Sequence, residues 1–383
     1  MREPAISGSG LRSLDASPHP AIRNPQPGRR LLVAVGAVAL LTLAPLACDE
    51  RAGPRRIRLS LILGDTSEWY QGALKWKELV EARTKRRYAV EVVPNATRSG
   101  RSQTSELQMV QQGKLEASLE STILLSTVDP RWTVFCFPWL FPDHTTANAV
   151  CDGPLGDEML ELLRDHNLVG LAYGANGFHQ ITNSVRPIRA PDDLKGLRIR
   201  IAQGLPPGLF EAFGASTSTH QMDLGDLYLA LERGGAAGGA DGQESPLSAI
   251  HAARLHTVQK HITLCNFVYD PIVLCVNRDL WYSLPGADQK TLRDCAREAM
   301  QFERQLVADA DQALPAKLQA QGMVVTRLKE IEQDTLKARA QAAVRDSFAN
   351  AVGKELLGRF QAAVKDATDD ARAKAAEPAN PAP

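Results

Sequence analysis

Neither sign of charge is in excess: 44 Lys and Arg face 44 Asp and Glu over 383 residues. The first 47 residues hold five Arg, no Lys and two acids, leaving 39 basic and 42 acidic side chains in the body, a net of −3. A general nucleic-acid binder needs surplus positive charge to displace counterions from phosphates, so that class is excluded. Aromatics are scarce at 5%, but apolar residues reach 44%, which excludes a disordered composition and supplies a core. No two cysteines form a CxxC pair, which argues against a structural zinc site. GxSxG, GxxxxGK[ST] and HExxH are all absent, so no local motif announces a nucleophile elbow, a phosphate loop or a zinc hydrolase. Long apolar runs are missing except for one, Leu31–Ala47, of 17 residues, so there is no multi-span membrane domain.

That run has a context. Residues 1–30 are rich in Pro, Ser, Gly and Arg and read as a disordered leader. Arg29-Arg30, a short apolar core, Ala47 and then Cys48-Asp49-Glu50 have the layout of a bacterial export signal over 1–47, followed by a tether over 48–55. Cys48 stands where lipoproteins carry their lipid-modified cysteine, although Pro45 replaces the usual Leu three residues before it. Ordinary cleavage near Ala47, or an uncleaved anchor, are the alternatives. Five cysteines remain after Cys48, at 136, 151, 265, 275 and 295; they read as small buried apolar side chains, with no pattern favouring a bridge.

Arg56–Leu63 alternates and then turns uniformly apolar, as a strand entering a sheet does. Thr66 or Ser67 can cap a helix carrying Tyr70, Leu74, Trp76 and Val80 at helical spacing. Tyr88–Val93 predicts a strand, Ser102–Gln112 a helix, and Glu116–Leu119 a strand, the rhythm of a parallel sheet faced by helices. Further strands are predicted at Val169–Tyr173, Arg198–Ile201, Phe267–Val276 and Val324–Leu328. Helices are predicted at Asp157–His166, Asp223–Leu231, Asp288–Ala320 with a break at Pro315, and Ile331–Phe360. Gly234–Gly242 lacks GxGxxG spacing and reads as a surface turn. His251, His256 and His261 recur every five residues, about 140° apart on a helix, so they share no helix face and make no metal site.

Four stretches occur in a telling order: GFHQITNSVRPI (177–188), DDLKGLRIRI (192–201), DLYLAL (226–231) and DGQESP (241–246). With VPN (93–95), FPWLF (137–141) and SLP (283–285), they resemble the solute receptors of TRAP transporters, the DctP-like periplasmic binding proteins, over nearly all of 56–360. The resemblance implies an α/β, two-lobed fold with a ligand cleft between the lobes and long C-terminal helices. The boundaries it implies are 56–176 for lobe I, 177–270 for lobe II, 271–310 for the return to lobe I and a long connecting helix, 311–362 for a C-terminal strand and helix on lobe II, and 363–383 for a flexible tail. Such receptors are not enzymes and hand a carboxylate to an ion-gradient-driven membrane permease; no cofactor or metal-ligating residue is assigned in this sequence, although a metal ion bridges ligand and protein in some relatives.

The family's carboxylate anchor is the Arg of LKGLxxR, here Arg200. A guanidinium offers two parallel donors to a carboxylate and stays charged at any relevant pH. His179 stands where many relatives have a second Arg, and Ser245 where many have Asn. Losing the second Arg disfavours a second carboxylate and points to a monocarboxylate with hydroxyl or ring substituents. Glu120, Ser121, Gln203, Trp69 and Tyr70 complete the candidate cleft; Arg198 shares the strand face of Arg200 but reads as peripheral. Two other classes stay open: an exported α/β enzyme acting on a small organic acid, and a structural lipoprotein without a ligand.

Overall fold

The computed structural model describes residues 53–218 and 224–376. The leader, the export-signal run, Cys48 and the last seven residues lie outside the described residues.

Ten strands carry the architecture: β1 (Arg55–Ser60), β2 (Tyr88–Val93), β3 (Ala117–Ser121), β4 (Leu168–Asn183), β5 (Arg198–Arg200), β6 (Ser216–Ser218), β7 (Gly242–Pro246), β8 (His261–Leu264), β9 (Tyr269–Asn277) and β10 (Val324–Arg327). Their order along the main path is β2-β1-β3-β9-β4-β7-β5-β6, with β8 joining β4 to β10. The parallel pairing expected of the first three strands is found, and the sheet as a whole is mixed. β1 pairs β2 and β3 in parallel, but β9 runs antiparallel to both β3 and β4, and β4 antiparallel to β7 and β8.

β4 organises the fold. The segment from Leu168 to Phe178 pairs with β9; the last residues, from His179, pair with β7, and Ile181–Asn183 also with β8. The strand therefore leaves one group of strands and enters the other. Its register slips between Ala175 and Gly177, and Gly177 has φ +101°, the kind of bulge at which a strand bends. The sequence predicts a strand ending at Tyr173; in fact sixteen residues continue to Asn183.

Helices clothe both groups. Ser67 caps Glu68–Arg83, accepting from the Tyr70 N–H at 3.3 Å, and that helix buries Trp69, Trp76 and Val80. Trp76 donates its indole N–H to the Leu292 carbonyl at 3.2 Å, tying the helix to Gly286–Ala320. This 35-residue helix is about 50 Å long. It runs through Pro315, where a break is predicted, because Leu314, Pro315 and Leu318 are buried. Gly353 ends Glu330–Val352 and separates it from Lys354–Ala376, where one continuous helix is predicted. The five cysteines from Cys136 to Cys295 are buried free thiols.

Candidate functional site

A cavity of about 390 Å³ opens where the strand groups meet, a size suited to a small metabolite. Its walls come from chain ends that the topology gathers: the tip of β3, the bend of β4, the end of β5, the Glu244–Pro246 part of β7 and the start of β9. Trp69 from the first turn of its helix closes one side, and Thr104 from the helix Gln103–Gln111 another. The two sides touch at the rim. Thr104 Oγ1 donates to Gln203 Oε1 at 3.2 Å, and Ser126 Oγ to the Gly204 carbonyl at 3.2 Å. Gly204 has φ +101°, and a Cβ there would lie 2.1 Å from the Ile123 carbonyl, so only glycine permits this approach.

Arg200 ends β5 and lines the cavity, with its Nε buried and unpartnered. Burial lowers its pKa and the Glu244 carboxylate opposes that, so the guanidinium stays charged. Glu244 is fully buried; one oxygen accepts the Ala202 N–H at 2.6 Å and the other accepts from His179 Nδ1. The far nitrogen of His179, Nε2, has no hydrogen-bond partner and stands 3.7 Å from Asp270 Oδ2. Burial alone pulls the imidazole pKa down, but Glu244 and Asp270 outweigh it and raise it to about 9. His179 is therefore a cation at neutral pH.

Asp270 closes the floor. It is fully buried and accepts from Ser121 Oγ (2.7 Å), Thr122 Oγ1 (2.9 Å), the Ile123 N–H (3.3 Å) and Asn176 Nδ2 (2.8 Å). Ser245 Oγ donates to Gln243 Oε1 at 2.5 Å. The Trp69 indole N–H, like Arg200 Nε and His179 Nε2, is buried with no partner. Each orphaned donor costs about 1–3 kcal/mol, and a ligand rich in acceptor oxygens would relieve those it reaches.

Of the residues singled out by sequence, Trp69, Ser121, His179, Arg200, Gln203 and Ser245 line the cavity. Glu120 and Tyr70 do not. Successive strand residues face opposite ways, so Ser121 reaches the cavity and Glu120 turns to the other face, beside Glu106. Tyr70 sits one helix position past Trp69 and packs against the core instead. Arg198 is exposed, donating to the Gly235 carbonyl. Glu244, Asp270, Asn176, Thr104 and Arg101 are among the lining residues that the sequence did not single out. Asp270 carried a signal, a lone acid inside the apolar run FVYDPIVLCV. His251 and His256 do meet, their rings 6.3 Å apart, because the chain leaves the helix after Ala252 and turns at Arg254. Among the described residues no three metal-ligating side chains converge.

A family model described as bacterial extracellular solute-binding protein, family 7 (DctP), matches residues 59–351. The chain belongs to this family. It is 34% identical over 285 residues to a solute-binding protein of Verminephrobacter eiseniae, spanning 74% of this chain and 82% of that one. The structure is similar, with TM-score 0.74 and 32% identity, to a TRAP periplasmic solute-binding protein of Ralstonia eutropha with bound (S)-2-acetolactate, covering 81% of this chain and 99% of that one. It is also similar, with TM-score 0.76 and 28% identity, to the sugar acid binding protein DctPAm of Advenella mimigardefordensis in complex with galactonate, covering 82% and 99%. The family 7 fold accounts for the two strand groups, the cleft between them and the long C-terminal helices. It is a periplasmic solute-receptor fold, and among the described residues no helix is long and apolar enough to cross a membrane.

Proposed function

We propose that this family 7 receptor captures a monocarboxylate bearing hydroxyl or keto oxygens and delivers it to an ion-gradient-driven TRAP permease. The observation that carries this is the half-buried Arg200, its Nε unpartnered, lining a cavity together with Trp69 and His179, whose ring nitrogens Nε1 and Nε2 also lack partners. Arg200 holds the carboxylate; Trp69 Nε1 and His179 Nε2 meet the remaining oxygens. Where many relatives carry a second Arg stands His179, held by Glu244, and the other arginine on the cavity lining, Arg101, is solvent-exposed. The buried acids Glu244 and Asp270 repel another anion at that end. Among similar solved structures, those with 2-acetolactate and galactonate carry ligands of the proposed class, and one from Shewanella oneidensis carries succinate, which lies outside it.

The enzyme reading fares worse. Ser121, Asp270 and His179 gather, but Ser121 donates to the aspartate and not to the imidazole, so the Ser–His contact of a Ser-His-Asp triad is not made. The lobes are assigned to 56–176 and 177–270, with β4 crossing at Gly174–Gly177 and β9 returning from Tyr269, and they close as rigid bodies on ligand.

A melting panel tests the function. D-galactonate and 2-acetolactate are expected to raise the melting temperature, and succinate to leave it unchanged. A ligand at 100 times its dissociation constant adds about 2.7 kcal/mol, several degrees for a body this size. A succinate shift exceeding those of both hydroxy and keto acids overturns the ligand class.

Cys48 is proposed as a lipid-bearing first residue that keeps the receptor beside its permease. The full-length chain expressed in a Gram-negative host is then expected to stay with membranes through a high-salt wash, and Cys48→Ser to release it. A soluble mature form beginning elsewhere contradicts the anchor and leaves the receptor reading standing.

A further inference from the structure

The long helix Gly286–Ala320 places one carboxyl against the bend of β4. Glu303 is fully buried, and its Oε2 accepts the Ala175 N–H at 2.8 Å. The fold clears room for it on two sides. A Cβ at Gly174 would lie 2.6 Å from Glu303 Oε2, and one at Gly72 would lie 2.7 Å from Glu303 Cβ. The other oxygen, Oε1, is buried with no partner. The next residue along β4 is Asn176, whose side chain lines the cavity and donates to Asp270 Oδ2 at 2.8 Å. A chain of two hydrogen bonds and one peptide therefore runs from Glu303 to the cavity floor.

We propose that Glu303 is a positioning residue for ligand binding: its carboxyl fixes Ala175, and through Asn176 and Asp270 holds the cavity floor, in a manner governed by its protonation. The word ligand here rests on the receptor reading; the clamp itself does not. The charged groups around it are few. Burial raises the Glu303 pKa to about 8, against the partial relief of the Ala175 N–H and the neighbouring Arg304, and Glu68 on the facing helix raises it further. Arg304 is committed to Asp152, at 2.6 and 2.9 Å, and gives Glu303 no direct pair. On the cavity side stand Asp270 and His179, and beside Gly177 lie Asp311 and His144, 3.0 Å apart.

The sign follows. The closed segment keeps the Glu303 proton to about pH 8, and an opened, solvated one releases it near 4.5. Opening is therefore favoured progressively as pH rises through that window, about tenfold per unit, and levels off above it. His179, raised to about 9 from 6.5, acts in the same direction only above pH 6.5, so the interval from pH 5 to 6.5 isolates the carboxyl from it.

The test uses ligand-free protein, so its failure and that of the receptor reading are distinguishable. Amide hydrogen exchange at Ala175, corrected for intrinsic chemistry, is expected to lose protection several-fold to tenfold per unit between pH 5 and 6.5. Glu303→Gln, which keeps an acceptor oxygen but no proton equilibrium, is expected to flatten that profile while the amide stays protected. The Asn176 side-chain amide resonance is expected to move with pH near 8 in the parent protein and to move less in Glu303→Gln, where only His179 contributes. A flat profile in the parent protein, the same slope in both proteins, or an Asn176 signal indifferent to the substitution would each overturn the proposal.

Discussion

Arg200→Ala is expected to weaken binding of the best monocarboxylate by about 30-fold to several thousand-fold, the equivalent of roughly 2–5 kcal/mol. The loss is large because the partner left behind is a carboxylate beside the buried acids Glu244 and Asp270, with His179 the buried cation and Arg101 a solvent-exposed one. Arg200→Lys is expected to recover part of it, since an ammonium keeps the charge but not the planar pair of donors. Arg200 sits at the end of a three-residue strand, not in a core, so the folded population should barely change. Calorimetry on both variants, with circular dichroism as the control, checks this. Unchanged affinity in Arg200→Ala would remove the anchor.

The second large effect is on stability. Glu106, on the helix Gln103–Gln111, and Glu120, on β3, are fully buried, and all four of their carboxyl oxygens lack hydrogen-bond partners. Burial raises the Glu106 pKa to about 8, with the Ser60 hydroxyl relieving it slightly. Burial and then the neighbouring Glu106 raise Glu120 well above the ordinary range. In the unfolded chain both release their protons near 4.5, so between there and about pH 8 the folded state binds more protons and stability falls as pH rises. One such group costs about 1.4 kcal/mol per pH unit across its window, roughly 3 kcal/mol from pH 5 to 7. Urea unfolding of Glu106→Gln and Glu120→Gln, singly and together, is expected to show a flatter pH dependence than the parent protein. Identical slopes would mean that neither carboxyl is held neutral.

The residues that the sequence exposed were those whose chemistry is written in a short motif or a simple period. Arg200 lies at the end of LKGLRIR, and the structure brings it to the cavity because β5 ends there. Trp69 and Tyr70, and Glu120 and Ser121, could not be separated by pattern, since adjacent residues on a helix or strand diverge and only the tertiary contact decides which one faces inward. β4 read as a short strand because Gly174, Asn176, Gly177 and His179 interrupt its apolar run. Those interruptions are the bend and the cavity wall, so the site disguised the strand. β7 was missed for the same reason: GQESP is polar and closes on Pro246, yet all five residues are buried, with Glu244 held by His179 and Ala202. The mixed topology was illegible because strand direction depends on β9 returning across the middle of the sheet, a contact between residues about 90 to 160 positions apart.

The most direct measurement is a crystal structure of the protein grown with the carboxylate that gives the largest melting shift. The account predicts that the ligand carboxylate lies on the Arg200 guanidinium in a two-pronged contact of about 2.7–2.9 Å, with its hydroxyl or keto oxygens on Trp69 Nε1 and His179 Nε2. A carboxylate seated elsewhere in the cleft, with Arg200 turned away from it, would contradict the account.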